Sequence, residues 1–127
     1  MELHELPFGK IIILKKDIAE VIMNEGVEMN AEMVDQFHDF LLDNLSRPFS
    51  VLVNKINNYA YSFEAQQILG TLEELKAIAV VTYDRMSEIS TNAVANFPRD
   101  VDWNMKIFSN RDEALDWILS ESQCSDD

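Results

Sequence analysis

Two short runs, Phe49-Ser50-Val51-Leu52-Val53-Asn54 and Ala77-Ile78-Ala79-Val80-Val81-Thr82, constrain this chain more than any other feature. Both are rich in β-branched and small apolar residues, and neither shows the apolar–polar alternation of a half-exposed strand. They read as strands covered on both faces. A polar loop and a short helix lie between them. The stretch is therefore a predicted βαβ unit with a right-handed crossover.

The rest of the chain is read around that unit. Met1 to Pro7 is a loose lead-in, and Lys10 to Leu14 is a strand by its β-branched content. Lys15-Lys16-Asp17 turns the chain. Ile18 to Met23 also has helical spacing at Ile18, Val21, Ile22 and Glu25, but the turn residues Asn24-Glu25-Gly26 favour a second strand and a hairpin. Val27-Glu28-Met29 continues as a brief strand. Asn30 N-caps a helix to about Leu45, with Val34, Phe37, Leu41 and Leu45 on one stripe, widened by Met33 and Phe40. Asp35, Asp39 and Asp43 line another face, and Ser46-Arg47-Pro48 ends the helix.

Lys55 to Tyr61 is a polar, aromatic loop, and Ser62 caps a helix with Glu64 in its first turn. Gly70 breaks that helix, and Leu72 to Lys76 completes the crossover. Asp84 opens a third helix, with Met86, Ile89, Ala93 and Phe97 at helical spacing and a stop at Phe97-Pro98-Arg99-Asp100. Met105 to Phe108 is a last strand. Ser109 or Asn110 caps a final helix that turns Ala114, Leu115, Ile118 and Leu119 inward, and Ser120 to Asp127 is a frayed acidic tail. The class is α/β: a single-layer mixed sheet with an N-terminal antiparallel hairpin, then βα units that lay helices on it. One domain spans 1–127, with its core at about 9–120 and loose termini at 1–7 and 121–127.

Charge narrows the partners. The chain carries 23 acidic and 10 basic residues, a formal net charge of −13. Such a surface repels nucleic-acid phosphate and anionic headgroups, so nucleic acid is excluded as a default partner. Solubility accounts for the charge, and a basic protein partner is the sharper implication. Cys124 stands alone and makes no internal disulfide. Apolar runs such as Ile11 to Leu14 are too short to span a bilayer, and Met1 to Pro7 lacks the pattern of a signal peptide. A cytoplasmic, soluble protein is expected.

Few residues carry recognisable chemistry. Asp35, His38 and Asp39 fall at helical spacing and present an imidazole and two carboxylates on one face. That set could hold a divalent metal, but structural zinc calls for cysteine or further histidine, and a solvated face opposite Val34, Phe37 and Leu41 explains it. His4 in the lead-in is inert. Gly9, Gly26 and Gly70 are too scattered for a phosphate cradle, Cys124 has no partner histidine, and Glu73-Glu74 and Asp112-Glu113 are uninformative in so acidic a chain. No catalytic residue, cofactor or metal is assigned, and a non-enzymatic protein is expected. Tyr59, Tyr61 and Phe63 lie beyond the carboxyl end of the Phe49 strand, where open α/β sheets gather ligands. They either form a partner surface or fold back over the core edge. Trp103 is a second candidate exposed aromatic, and Trp117 packs at the sheet rim.

The closing segment Lys106-Ile107-Phe108-Ser109-Asn110-Arg111-Asp112-Glu113-Ala114-Leu115-Asp116-Trp117-Ile118 resembles the ending of small bacterial STAS-type proteins (sulfate transporter and anti-sigma-factor antagonist), in the branch grouped with CRAL-TRIO-like lipid-binding folds. Ser62-Phe63-Glu64-Ala65 at a helix start, Ala77 to Thr82, and Asn92 in the following helix resemble the same pattern, which covers about residues 10 to 120. The resemblance implies a STAS-like fold. In the anti-sigma antagonists a serine in an Asp-Ser-Ser-Gly motif is phosphorylated, and Ser62 falls on the first serine. Phe63 and Glu64 replace the second serine and the glycine, and Glu64 repels a phosphate. Read from the residues alone, Ser62 is an N-cap. The expected function is a regulatory module that binds a protein partner through Tyr59, Tyr61, Ser62 and Phe63 and is able to form a homodimer. The alternative is a binder of a small apolar ligand, a lipid or fatty acid, between sheet and helices. A hydrolase or transferase is a third class, without a nucleophile–base signature to support it.

Overall fold

The computed structural model describes residues 2–68, 72–95 and 104–123. Strands β5 (Phe49–Lys55) and β7 (Leu75–Thr82) form the predicted parallel pair at the centre of the sheet, with Val51 opposite Ile78 and Val53 opposite Val80. β3 (Ile18–Met23) joins β5 in parallel, and β8 (Met105–Phe108) joins β7. β2 (Gly9–Lys15) and β1 (Glu2–Leu6) extend the sheet antiparallel beyond β3, giving the order β1-β2-β3-β5-β7-β8. Two further short strands, β4 (Glu28–Met29) and β6 (Ala60–Tyr61), pair in parallel as a separate two-stranded sheet.

Because strand side chains alternate, this register divides the core into two layers. Ala19, Val21 and Val51 face one way, under Val34, Phe37 and Leu41 of α1 (Ala31–Asn44). Ile18, Leu52, Ala77, Ala79 and Val81 face the other way, under Ala114 and Ile118 of α4 (Arg111–Gln123). Each helix starts on a side-chain cap that satisfies a free first-turn N–H. Asn30 accepts from the Met33 amide at 2.9 Å. Ser62 accepts from Ala65 at 3.1 Å, at the start of α2 (Phe63–Ile68). Asp84 accepts from Ser87 at 2.7 Å, before α3 (Arg85–Ala95), and Asn110 accepts from Glu113 at 3.2 Å.

Two glycines meet specific demands. Gly26 turns the chain between β3 and β4 with φ of +78°, a left-handed conformation that a side chain disfavours. At Gly9 a Cβ would sit 2.7 Å from the Ile22 carbonyl oxygen, so only glycine lets β2 approach β3 there.

Several sequence expectations are corrected. The segment 1–7 is not a loose lead-in: Glu2 to Leu6 pair with Ile13 to Gly9, because the backbone edge of β2 takes a hydrogen-bonding partner. His4 lies on that strand with its ring edge-on to Phe40, 5.0 Å between centroids. At the other end α4 runs through Gln123, so residues 121–123 belong to the helix rather than to a frayed tail. The loop before α2 holds strand β6, and β7 starts at Leu75 rather than Ala77. The α3 stripe faces outward: Met86 is 71% and Ile89 54% exposed, whereas Ser87 and Thr91 are buried. Polar bonds set that rotation, since the Thr91 hydroxyl donates to the Ser87 carbonyl at 2.7 Å and accepts from Lys55 at 3.1 Å. Gly70, Phe97 to Asp100, Trp103 and Cys124 lie outside the described residues.

On the α4 side the sheet buries a charge. Glu20 is 3% exposed, and Arg111 at the start of α4 clasps it with two bonds, Nε to Oε2 at 3.0 Å and Nη2 to Oε1 at 2.6 Å. Asn54 of β5 donates a third bond to Oε2 at 2.9 Å. Burial alone raises the Glu20 carboxyl; the bonds from Arg111 and Asn54 and the Arg111 charge outweigh it and hold the group below its ordinary value. The pair fastens α4 to β3 and β5 at its first turn.

Two outcomes are expected in urea denaturation. Ile118→Ala removes a fully buried side chain between α4 and the sheet and destabilises by about 2–4 kcal/mol, whereas Met86→Ala stays within ~0.5 kcal/mol. Arg111→Ala leaves Glu20 buried without its partner; because Arg111 is partly exposed, the expected loss is about 2 kcal/mol, below that of a fully buried pair. The sign with pH follows from a depressed carboxyl. The wild-type advantage over Arg111→Ala is full once Glu20 is ionised in both folded proteins and is lost as pH falls through the lowered folded-state value of the wild type.

Candidate functional site

On the opposite face of the sheet, the layers of α1 and α3 do not close completely over the strands. They leave a small, partly open cavity of about 60 Å3. Its floor is the pleat of the central strands, including Val21, Val51, Val53, Ile78 and Val80. Phe37, His38 and Leu41 of α1 wall one side, and Thr91 of α3 stands on another. Tyr59 and Tyr61 close it from the segment that carries β6.

That segment is strapped down. Ala60 donates to the Val27 carbonyl at 3.0 Å, Ser62 to Met29 at 2.8 Å, and Gly26 to Asn58 at 2.7 Å. The Asn57 side chain adds a bond to the Met23 carbonyl at 2.9 Å. Tyr59 and Tyr61 meet edge to face at 5.5 Å between centroids, with their hydroxyl oxygens 3.3 Å apart. Burial raises both phenols, and the neighbouring Tyr61 raises Tyr59 further.

The polar groups of this apolar cavity are cationic or neutral. Lys55 ends β5 and is 8% exposed; its Nζ donates to the Thr91 hydroxyl at 3.1 Å and lies 5.0 Å from the Tyr59 ring centroid. Burial lowers the ammonium from its usual value. His38 is 7% exposed. Burial lowers its imidazole, against the opposing pull of the Asp35 and Asp39 charges.

The sequence-predicted site residues separate in three dimensions. Tyr59 and Tyr61 turn inward and line the cavity, while Phe63 remains 63% exposed at the start of α2. Ser62 carries out its capping role. Asp35 and Asp39 are exposed, but His38 does not share their solvated face, because it falls within the stripe of Val34, Phe37 and Leu41. Among the described residues no three His, Cys, Asp or Glu side chains gather as a metal site. Trp117 packs on Phe108 at 5.8 Å between centroids. The neighbours Ile56 and Asn57 point to a polar loop at Lys55; its alternation with Val51 and Val53 is the signal that puts it on the cavity face.

No family model matches the sequence, and no curated protein matches it. The fold does match a crystal structure from Shewanella loihica PV-4, described as an uncharacterized protein of the DUF3478 family with a SpoIIAA-like fold. The two superpose with a TM-score of 0.56 at 18% identity, over 87% of this chain and 91% of that one. The chain therefore has a SpoIIAA-like, or STAS-like, fold, in agreement with the class and the resemblance read from the sequence. Among the described residues no helix is long and apolar enough to cross a membrane.

His38 provides a test of the cavity wall. Its folded-state value lies below 6.5, so the unfolded chain takes up the proton first. Wild-type stability is expected to fall relative to His38→Gln as pH drops below about 6.5, and the difference levels off once the folded imidazole is also protonated. Urea midpoints of the two proteins between pH 7.5 and roughly pH 5 measure this.

Proposed function

We propose that this protein binds a small, largely apolar ligand in the cavity between the central strands and α1 and α3. The observation that carries the reading is the cavity itself: an apolar floor from β3, β5 and β7 with a few convergent polar side chains at its edge. Its enclosed space, about 60 Å3, admits a slender apolar group rather than a bulky one. The strap through β4 and β6 holds Tyr59 and Tyr61 over it. The protein acts as a carrier or sensor in the cytoplasm, not as a catalyst.

A second reading, a regulatory module that binds a protein partner near residues 59–64, is supported by one observation. Phe63 and Ile56 are 63% and 61% exposed on either side of the strapped segment. The inward turn of Tyr59 and Tyr61 removes the two other aromatics from that surface.

Native mass spectrometry of the protein purified from its own host tests the first reading. A bound species on the order of a few hundred daltons is expected. Val53→Phe, which fills the floor, is expected to abolish it while leaving the far-ultraviolet spectrum unchanged. A bare wild-type chain would overturn the cavity reading.

A further inference from the structure

This inference rests on the cavity reading and names the class of ligand. The chain has 23 acidic residues and 10 basic ones, yet no Asp or Glu is among the residues that line the cavity, and a lysine is. Lys55 has three N–H donors. One goes to the Thr91 hydroxyl, whose own proton goes to the Ser87 carbonyl. Thr91 thus braces the ammonium without neutralising it. Among the described residues Lys55 has no carboxylate partner and no other hydrogen-bond acceptor.

Glu20, another buried charge in the sheet, is treated differently, whereas the Lys76 ammonium of β7, outside the cavity lining, is also buried without a hydrogen-bond partner. Glu20 is matched by a guanidinium and an amide. A buried charge is normally paired, because desolvation without a partner is costly. Lys55 has a place for that partner in the open space beside it, between the valine floor and the Tyr59–Tyr61 pair. When the two tyrosine hydroxyls bond to each other, one of the two protons is committed and the other remains to donate.

We propose that the cavity takes a medium-chain monocarboxylic acid, with its carboxylate on Lys55 and its alkyl chain along Val21, Val51, Val53, Ile78 and Val80. One ammonium balances one carboxylate. A phosphate dianion would leave a second negative charge buried without a partner, so a carboxylate is the better match. The limited interior suits a short chain rather than a full-length lipid.

Calorimetric titration of the full chain with octanoic acid, octan-1-ol and octyl phosphate tests this. Octanoate is expected to bind about 10–100-fold more tightly than octanol, the advantage of charge-assisted bonds over neutral ones. Lys55→Met is expected to remove that advantage and spare octanol, and Lys55→Arg to retain part of it. The wild-type comparison stands even if Lys55→Met fails to fold. Equal binding of octanoate and octanol overturns the head-group assignment and leaves the cavity reading intact. Tighter binding of octyl phosphate overturns the carboxylate class. Failure of all three probes to bind overturns this inference; the cavity reading falls only if the host-purified chain is also bare.

Discussion

The burial of both faces of β5 sets most of this structure. A parallel central strand has no solvent side, so each of its residues is committed to one layer or the other. Val51, Val53 and Lys55 go to the α1 side, and Ser50, Leu52 and Asn54 to the α4 side. The polar end of the strand cannot escape this division. Asn54 and Lys55 are neighbours in sequence, yet one enters the Glu20–Arg111 network and the other enters the cavity. A one-residue slip in register would exchange them, placing the ammonium against the packed α4 helix and the amide in the cavity.

The same alternation explains what was legible in the sequence. The apolar runs of β5 and β7 gave the parallel pair because no half-exposed strand has their composition. The caps at Asn30, Ser62 and Asp84 were readable because each is a short polar side chain just before a helical pattern. The hairpin β2–β3 followed from two β-branched runs around a tight turn. What the sequence hid was polar and inward. His38 is three residues from both Asp35 and Leu41 and four from Val34, so helical spacing alone groups it as readily with the carboxylates as with the apolar stripe where it sits. Lys55 continues the alternation of Val51 and Val53 but borders a polar loop. Ser87 and Thr91 face the sheet through hydrogen bonds, so an apolar periodicity points to Met86 and Ile89 and selects the wrong face of α3. Strand β1 was missed because Glu-Leu-His-Glu-Leu alternates poorly and takes its conformation from the edge of β2.

The Glu20 and Lys55 sites therefore lie on opposite faces of one sheet, and they differ in completeness. The Glu20 site is closed: two guanidinium bonds and an amide satisfy the carboxylate and link α4 to two strands. The Lys55 site is braced by a hydroxyl and an aromatic face, neither of which carries a full negative charge. A sequence with 23 acidic residues has ample means to place one beside Lys55. A fixed Asp or Glu at that point would stabilise the empty fold and would also occupy the space that an anionic ligand needs. Leaving the ammonium without an acid keeps part of its desolvation cost in the unliganded protein. A carboxylate that enters the cavity relieves that cost, so the ligand binds the folded chain and stabilises it by mass action. On this argument the incomplete pairing of Lys55 and the affinity of the cavity have one physical origin.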